Sequence, residues 1–160
     1  MLTTLNKNKK KGFLLAEALI VSGIIAVVLG SFVFAAFISL RLSSETKKAF
    51  SASQLAQEMM ESVRGFRNNA VWNSSLGSLA EATPYHLEEV ASGVLSAVAG
   101  EESVGGFNRK FQTENVSRYQ GAIEPVYNPL RNDPDTKKIR VTVTWESGEY
   151  ILETYLTNWK

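Results

Sequence analysis

An apolar stretch near the N-terminus constrains this chain more than any other feature. Residues 13–40 carry one charged side chain, Glu17, and residues 18–40 carry none. A helix needs about 20 predominantly apolar residues to cross a bilayer, so the stretch predicts a membrane-spanning helix. Basic residues stay on the cytoplasmic side, and four precede the stretch without any acidic residue: Lys7, Lys9, Lys10 and Lys11. We therefore expect a single-pass protein of the cytoplasmic membrane with a cytoplasmic N-terminus.

The composition argues against most enzymes. The 160 residues include no Cys and one His, which excludes disulfide frameworks, thiolate chemistry and paired-His metal sites. There is no Gly-rich phosphate loop, no nucleophile elbow and no carboxylate pair placed for acid–base catalysis. The lone His86 lies beside Glu88 and Glu89, where a solvated or capping side chain is expected rather than a metal ligand. The sequence therefore predicts a protein that is not an enzyme.

A cleaved secretory signal and an uncleaved signal anchor are the simplest explanations of the apolar stretch. A secretory signal has an apolar core of about 7–15 residues and a small-residue cleavage site, and this stretch is longer and lacks such a site. A signal anchor remains possible, but it leaves Glu17 unexplained. A carboxylate inside a spanning helix costs about 2.5–3.5 kcal/mol on insertion scales, and such residues usually mark a functional contact.

The sequence KKKGFLLAE, residues 9–17, resembles the processing site of the type IV prepilin family. The resemblance implies that residues 1–12 are a leader, that prepilin peptidase cleaves after Gly12, and that Phe13 becomes the N-methylated first residue. It implies that Glu17 pairs with the new amine of a neighbouring subunit. Glu17 follows Phe13 by one helical turn, so pairing with its own amine, or protonation in the bilayer, remains an alternative.

The resemblance also implies partners and a fold. The partners are other pilin or pseudopilin subunits, prepilin peptidase, and an inner-membrane assembly platform with its ATPase. Small residues would allow close helix packing: Ala16, Ala18, Ser22, Gly23, Ala26 and Gly30. The assembled filament would reach the cell surface or span the periplasm. One departure is that no Pro precedes Pro84, whereas many pilins carry one within the membrane segment.

Helical patterning continues beyond the membrane stretch. An apolar stripe recurs at steps of three and four residues on an otherwise polar background: Ala49, Ala52, Ala56, Met59, Val63, Phe66 and Ala70. We expect one helix from about residue 13 to residue 69, with residues 13–40 in the membrane or filament core and residues 41–70 amphipathic. Residues 71–160 would then form a variable region and an antiparallel sheet, which makes the fold class α+β.

Residues 71–106 are predicted to be irregular, with a short helical pattern around Leu87, Val90, Leu95 and Val98. Residues 107–119 predict a strand, and residues 138–145 alternate cleanly as a second strand before a two-residue turn at Ser147 and Gly148. Pairing outward from that turn predicts four cross-strand pairs: Trp145 with Tyr150, Val143 with Leu152, Val141 with Thr154, and Ile139 with Leu156.

The segment around Asp133 and Asp135 is a weak calcium candidate. Two carboxylates in a tight loop offer oxygen ligands, but few others accompany them, so a self-capped turn is the preferred interpretation. We expect no cofactor.

Three functions are compatible with these patterns. The first is a structural subunit, a minor pilin or pseudopilin of a type IV pilus or type II secretion-like filament. The second is a pseudopilin of a DNA-uptake filament, with basic residues that could form a patch: Arg109, Lys110, Arg118, Lys137, Lys138 and Arg140. Nucleic acid is the less expected partner, because loss of the leader lysines changes the formal net charge from +1 to −3. The third is an uncleaved single-pass protein with an external domain.

Overall fold

The computed structural model describes residues 5–91 and 93–159, and the side chains of residues 15–90 and 93–159. Residues 1–4 of the predicted leader lie outside the described part. The chain forms two compact units that divide between Glu45 and Thr46. The elements in chain order are helix α1 (Leu5–Asn69), strands β1 (Tyr85–Ala91), β2 (Val94–Ala99), β3 (Glu102–Val104), β4 (Phe107–Tyr119), β5 (Ala122–Ile123), β6 (Asn132–Trp145) and β7 (Gly148–Thr157), with 3₁₀ turns at Trp72–Ser74, Leu76–Ser78 and Pro129–Arg131.

The described residues of the N-terminal unit, 5–45, are all helical. Within the described residues, α1 is the one helix long and apolar enough to cross a membrane. Its large apolar side chains between Leu15 and Leu42 are exposed, and several exceed two-thirds exposure, including Val27, Phe32 and Phe37. Burying so much apolar surface is the dominant favourable term in folding and association. This surface therefore requires a lipid environment or other protein surfaces.

The second unit packs the C-terminal part of α1 against an antiparallel sheet, so the expected α+β class is confirmed. The strand order is β2-β1-β4-β6-β7, and β3 and β5 pair with β4. The stripe of α1 supplies one side of the core, and the inner face of β4, β6 and β7 supplies the other. The buried apolar side chains of this core are Ala52, Ala56, Met59, Met60, Val63, Phe66, Trp72, Leu76, Phe111, Ile139, Val141, Val143 and Leu156.

The short helix expected around Leu87 and Val98 is wrong, because this segment is the β1–β2 hairpin. Leu87 pairs with Ala97, and both pack against the core, as does Leu95. Gly93 in the connection has φ +80°, which suits a residue without a side chain. The four apolar residues of this segment are spaced by three, five and three, which imitates two turns of a helix, but Leu87 and Leu95 pack against the core whereas Val90 is exposed.

The face predicted for the β6–β7 hairpin is correct, but its register is wrong by two residues. Val143 pairs with Tyr150, Val141 with Leu152 and Ile139 with Thr154. Leu156 pairs with Lys137, and the turn lies at Glu146 and Ser147 because Gly148 already pairs with Trp145. A shift of two preserves which face each side chain occupies, so the buried set is unchanged.

Strand β6 begins earlier than expected, at Asn132, and includes Pro134. The pairing with β4 shifts at this point: Asn115 pairs with Lys137, whereas Val116 pairs with Asp133. Proline cannot donate a ladder hydrogen bond and is tolerated at such irregularities. The turn-like residues before residue 138 are therefore the irregular start of a strand.

Candidate functional site

The membrane-capable part of α1 carries one carboxylate, Glu17, on a shallow depression of the helix surface. The depression is lined by residues that recur at one helical face: Glu17, Ala18, Val21, Ser22 and Ile25. Ala18 and Ser22 have small side chains, and they lower the surface beside Glu17. This geometry leaves room for a group from outside the helix to approach the carboxylate.

Two serines of the same segment meet their hydrogen-bonding needs inside the helix. Ser22 Oγ donates to Leu19 O at 2.9 Å, and Ser31 Oγ donates to Val27 O at 2.8 Å. Glu17 makes no hydrogen bond or ion pair with any side chain that the structure describes. A carboxylate in an apolar environment is costly unless it is paired or protonated. Glu17 is therefore the polar group of this segment that a partner would satisfy.

Gly12 and Phe13 are residues of helix α1 and precede Glu17 in the chain. Glu17 follows Phe13 by four residues, so the two positions share a helix face one turn apart. The side chains of Phe13, Lys7, Lys9, Lys10 and Lys11 lie outside the described side chains. The structure therefore places the predicted processing site on the helix and describes none of its side-chain contacts.

The two glycines of the apolar segment leave unoccupied space on the helix surface. A Cβ built at Gly23 or Gly30 would meet no atom within 4 Å. Small residues at a helix surface let a second helix approach closely, so that van der Waals packing can hold helices together in an apolar medium. Glycine also costs about 1 kcal/mol against alanine inside a helix, which makes these two positions the weakest points of α1 here.

The calcium candidates Asp133 and Asp135 have partners from the chain itself. The carboxylate of Asp133 forms an ion pair with Arg118, and Asp135 Oδ1 accepts a hydrogen bond from Asn158 Nδ2 at 2.9 Å. Burial raises the pKa of the Asp133 carboxyl, but hydrogen bonds from Thr136 and Arg118 lower it more, so that the pKa lies below its ordinary value. Within the described residues, no three His, Asp or Glu side chains converge as a metal site.

His86 Nε2 contacts Glu88 Oε1 at 2.9 Å.

The basic residues considered for DNA binding are held by neighbouring side chains. Arg109 contacts Glu102 at 2.7 Å and Glu58 at 3.0 Å, and Lys110 contacts Glu101 at 2.6 Å. Arg118 pairs with Asp133, Lys137 donates to Asn115 Oδ1, and both Lys138 and Arg140 pair with Glu153. Local carboxylates thus neutralise most of this positive charge, which weakens the attraction for phosphate.

One feature had no signal in the sequence. A cleft lies where α1 and β7 both end, and its residues come from two distant parts of the chain, residues 67–73 and residues 158–159. Only the packing of α1 on the sheet brings them together.

No protein-family model, no curated protein and no solved structure matches this chain. The arrangement of one long apolar N-terminal helix and an antiparallel sheet is a pilin-like architecture.

Proposed function

We propose that this chain is a filament subunit, a minor pilin or pseudopilin of a type IV pilus or type II secretion-like filament. The observation that carries the proposal is the exposed apolar part of α1 with a single carboxylate, Glu17, which has no partner among the described side chains. A helix bundle of identical or related subunits would bury the apolar surface and supply a cation for the carboxylate.

Processing supplies that cation. Cleavage after Gly12 creates an ammonium group at Phe13, at the N-terminus of the shortened helix. In a filament whose subunits are staggered along its axis, this ammonium pairs with Glu17 of a neighbour. Because an unpaired charge in an apolar bundle is strongly unfavourable, the pair selects one axial register over its alternatives. Prepilin peptidase and an assembly platform with its ATPase are the partners that this cycle needs.

A first experiment tests processing. The full precursor is expressed with a prepilin peptidase, and the mass of the product is measured for wild type and Gly12→Val. We expect wild type to lose residues 1–12 and to gain one methyl group, and the variant to keep the precursor mass. Gly30→Val is the matched control, because it changes a glycine of the same helix far from the cleavage position. A wild-type product that keeps the precursor mass would contradict processing, and loss of residues 1–12 from Gly12→Val would show that cleavage does not require Gly12.

A second experiment tests assembly. Glu17→Gln removes the charge and keeps the shape of the side chain. We expect this variant to be processed normally but to enter filaments at less than a tenth of the wild-type amount, measured on sheared filament fractions. Glu45→Gln is the control, since it removes one acid of α1 outside the apolar segment. Normal incorporation of Glu17→Gln would refute the proposed pairing, and an unprocessed wild type would instead indicate a signal-anchor protein.

A further inference from the structure

The cleft at the end of α1 has a volume of about 360 Å³ and lies entirely within the second unit. Its lining is unusual in combining two indoles with three carboxamides and one guanidinium: Arg67, Asn69, Trp72, Asn73, Asn158 and Trp159, together with Ala70 and Val71. It falls in the size range of small-molecule sites, which combine apolar walls with a few placed polar groups.

The walls of the cleft are held by the chain itself. Trp72 is buried, and its Nε1 donates to Pro134 O at 3.0 Å. Asn158 is fixed through its backbone N, which donates to Asp135 O at 2.7 Å, and through Nδ2, which donates to Asp135 Oδ1 at 2.9 Å. The positions of Trp72 and Asn158 are therefore set before a ligand arrives, which reduces the ordering cost of binding.

The outer wall is Trp159, which is 65% exposed. Arg67 Cζ lies 5.5 Å from the centroid of the Trp159 ring, within the range of a cation–π contact. Arg67 Nη1 also donates to Thr157 O at 2.8 Å, which anchors the guanidinium to the end of β7. The indole is thus supported by Arg67 while a large part of its surface faces solvent.

We propose that this cleft binds a pyranose unit of a glycan. The C–H face of a pyranose packs on an aromatic ring, and its ring of hydroxyls both donates and accepts hydrogen bonds. Trp159 offers the aromatic surface. The side-chain amides of Asn69 and Asn73, which make no hydrogen bond with described residues, offer one acceptor and two donors each. Vicinal hydroxyls require this combination.

Other ligand classes fit the cleft less well. A nucleotide needs cations for its phosphates, and Arg67 is the one cation of the lining. An apolar peptide segment would bury the carboxamides of Asn69 and Asn73 without satisfying them, which is unfavourable. A pyranose satisfies the carboxamides and the indole together. The proposal stands independently of filament assembly; in a filament subunit it would give the filament an affinity for glycans.

Ligand-observed saturation-transfer NMR on the full chain tests the proposal. The protein is held in phosphatidylcholine nanodiscs, because glycoside detergents would compete for the cleft, and empty nanodiscs give the background. The probes are glucose, galactose, N-acetylglucosamine, N-acetylgalactosamine and glucuronic acid, with adenosine monophosphate as the nucleotide probe. Concentrations reach about 20 mM, which covers millimolar Kd values. We expect saturable transfer to at least one saccharide, and glucuronic acid distinguishes an acidic from a neutral sugar.

Variants of the lining assign the binding to this cleft. We expect Trp159→Ala to raise the Kd about tenfold or more, Asn73→Ala to raise it several-fold, and Trp159→Tyr to restore part of the affinity. Tyr119→Ala removes an aromatic residue outside the lining, and it is expected to leave the Kd unchanged. The thermal unfolding of each variant is compared with wild type to confirm the fold. Absence of saccharide binding, binding to the nucleotide alone, or an unchanged Kd in Trp159→Ala would overturn the proposal.

Discussion

The indole of Trp145 lies directly over Gly148, the first residue of β7. A Cβ built at Gly148 would approach Trp145 Cζ2 to 2.8 Å, a distance that real Cβ atoms do not tolerate. Trp145 Nε1 donates to Ser147 Oγ at 2.9 Å, and its ring packs 6.1 Å from the centroid of Phe107. The turn at Glu146 and Ser147 is therefore closed by an indole that requires a glycine beneath it.

We expect Gly148→Ala to lower the free energy of unfolding by about 1–3 kcal/mol, the ordinary cost of overpacking. The added methyl has to displace the indole, and the ring is constrained by Ser147 and Phe107. Gly65→Ala is a matched control in α1, where the new Cβ would lie 3.9 Å from Leu95 Cδ1, an ordinary contact. That variant should gain about 0.5–1 kcal/mol from helix propensity. Urea unfolding of both variants, followed by tryptophan fluorescence, measures the change in the free energy of unfolding. If Gly148→Ala gained stability as Gly65→Ala does, the indole of Trp145 would not require a glycine beneath it.

Loss of a buried side chain from the α1 stripe is expected to destabilise the fold. Val63 is fully buried between α1 and the sheet, whereas Val126 is 77% exposed. We expect Val63→Ala to cost about 2 kcal/mol, from two lost methyl groups and the cavity they leave. Val126→Ala should stay within about 0.5 kcal/mol of wild type, as surface changes usually do. Similar losses in the two variants would show that α1 does not pack on the sheet through this stripe.

The buried indole of Trp72 makes a separate prediction. Trp72→Phe removes the hydrogen bond to Pro134 O and leaves that carbonyl to find another donor, at a cost of about 1–3 kcal/mol. Trp159→Phe, at an exposed position, should cost less than about 1 kcal/mol. Thermal unfolding of the two variants under identical conditions checks the order. A greater loss for Trp159→Phe would mean that the Pro134 contact contributes little.

The ion pair between Asp133 and Arg118 predicts a pH dependence. Since the folded pKa of Asp133 lies below its ordinary value, its contribution to stability is present above the unfolded pKa of about 3.9 and is lost as the pH falls through the folded pKa. Urea unfolding from about pH 6 to about pH 2 should show a weaker loss of stability in Asp133→Asn than in wild type. Glu149→Gln, at an exposed carboxylate without an ion pair among the described residues, serves as the control. An unchanged profile in Asp133→Asn would show that the pair does not stabilise the fold.

Patterns within single elements predicted much of the fold. The spacing of apolar residues predicts a helix that ends at about residue 69 and the buried face of β6, and both are confirmed. Strand β4 has the predicted limits, residues 107 and 119, although its alternation is imperfect. Burial of one face imposes a period of two on a strand and about 3.6 on a helix, and these periods survive in the sequence. The position of Glu17 within the apolar segment could also be predicted from the sequence, because it depends only on the order of residues in the chain.

Relationships between elements were predicted less well. The β1–β2 hairpin was missed because two short strands and their turn imitate helical spacing. The register of β6 and β7 was wrong by two residues because it depends on how Trp145 and Gly148 fit together, which no alternation of polar and apolar residues records.

The amino-acid sequence by itself determined the membrane-capable helix, its lone carboxylate and the inner faces of helix and sheet. Each of these follows from a local pattern of apolar and polar residues that lies within one continuous segment of the chain. Tertiary structure alone decided the start of β6 at Asn132, the use of Asp133 by Arg118, and the cleft between Trp72 and Trp159. These features join residues that are distant in the chain, so they arise only when packing of α1 on the sheet brings both partners into contact.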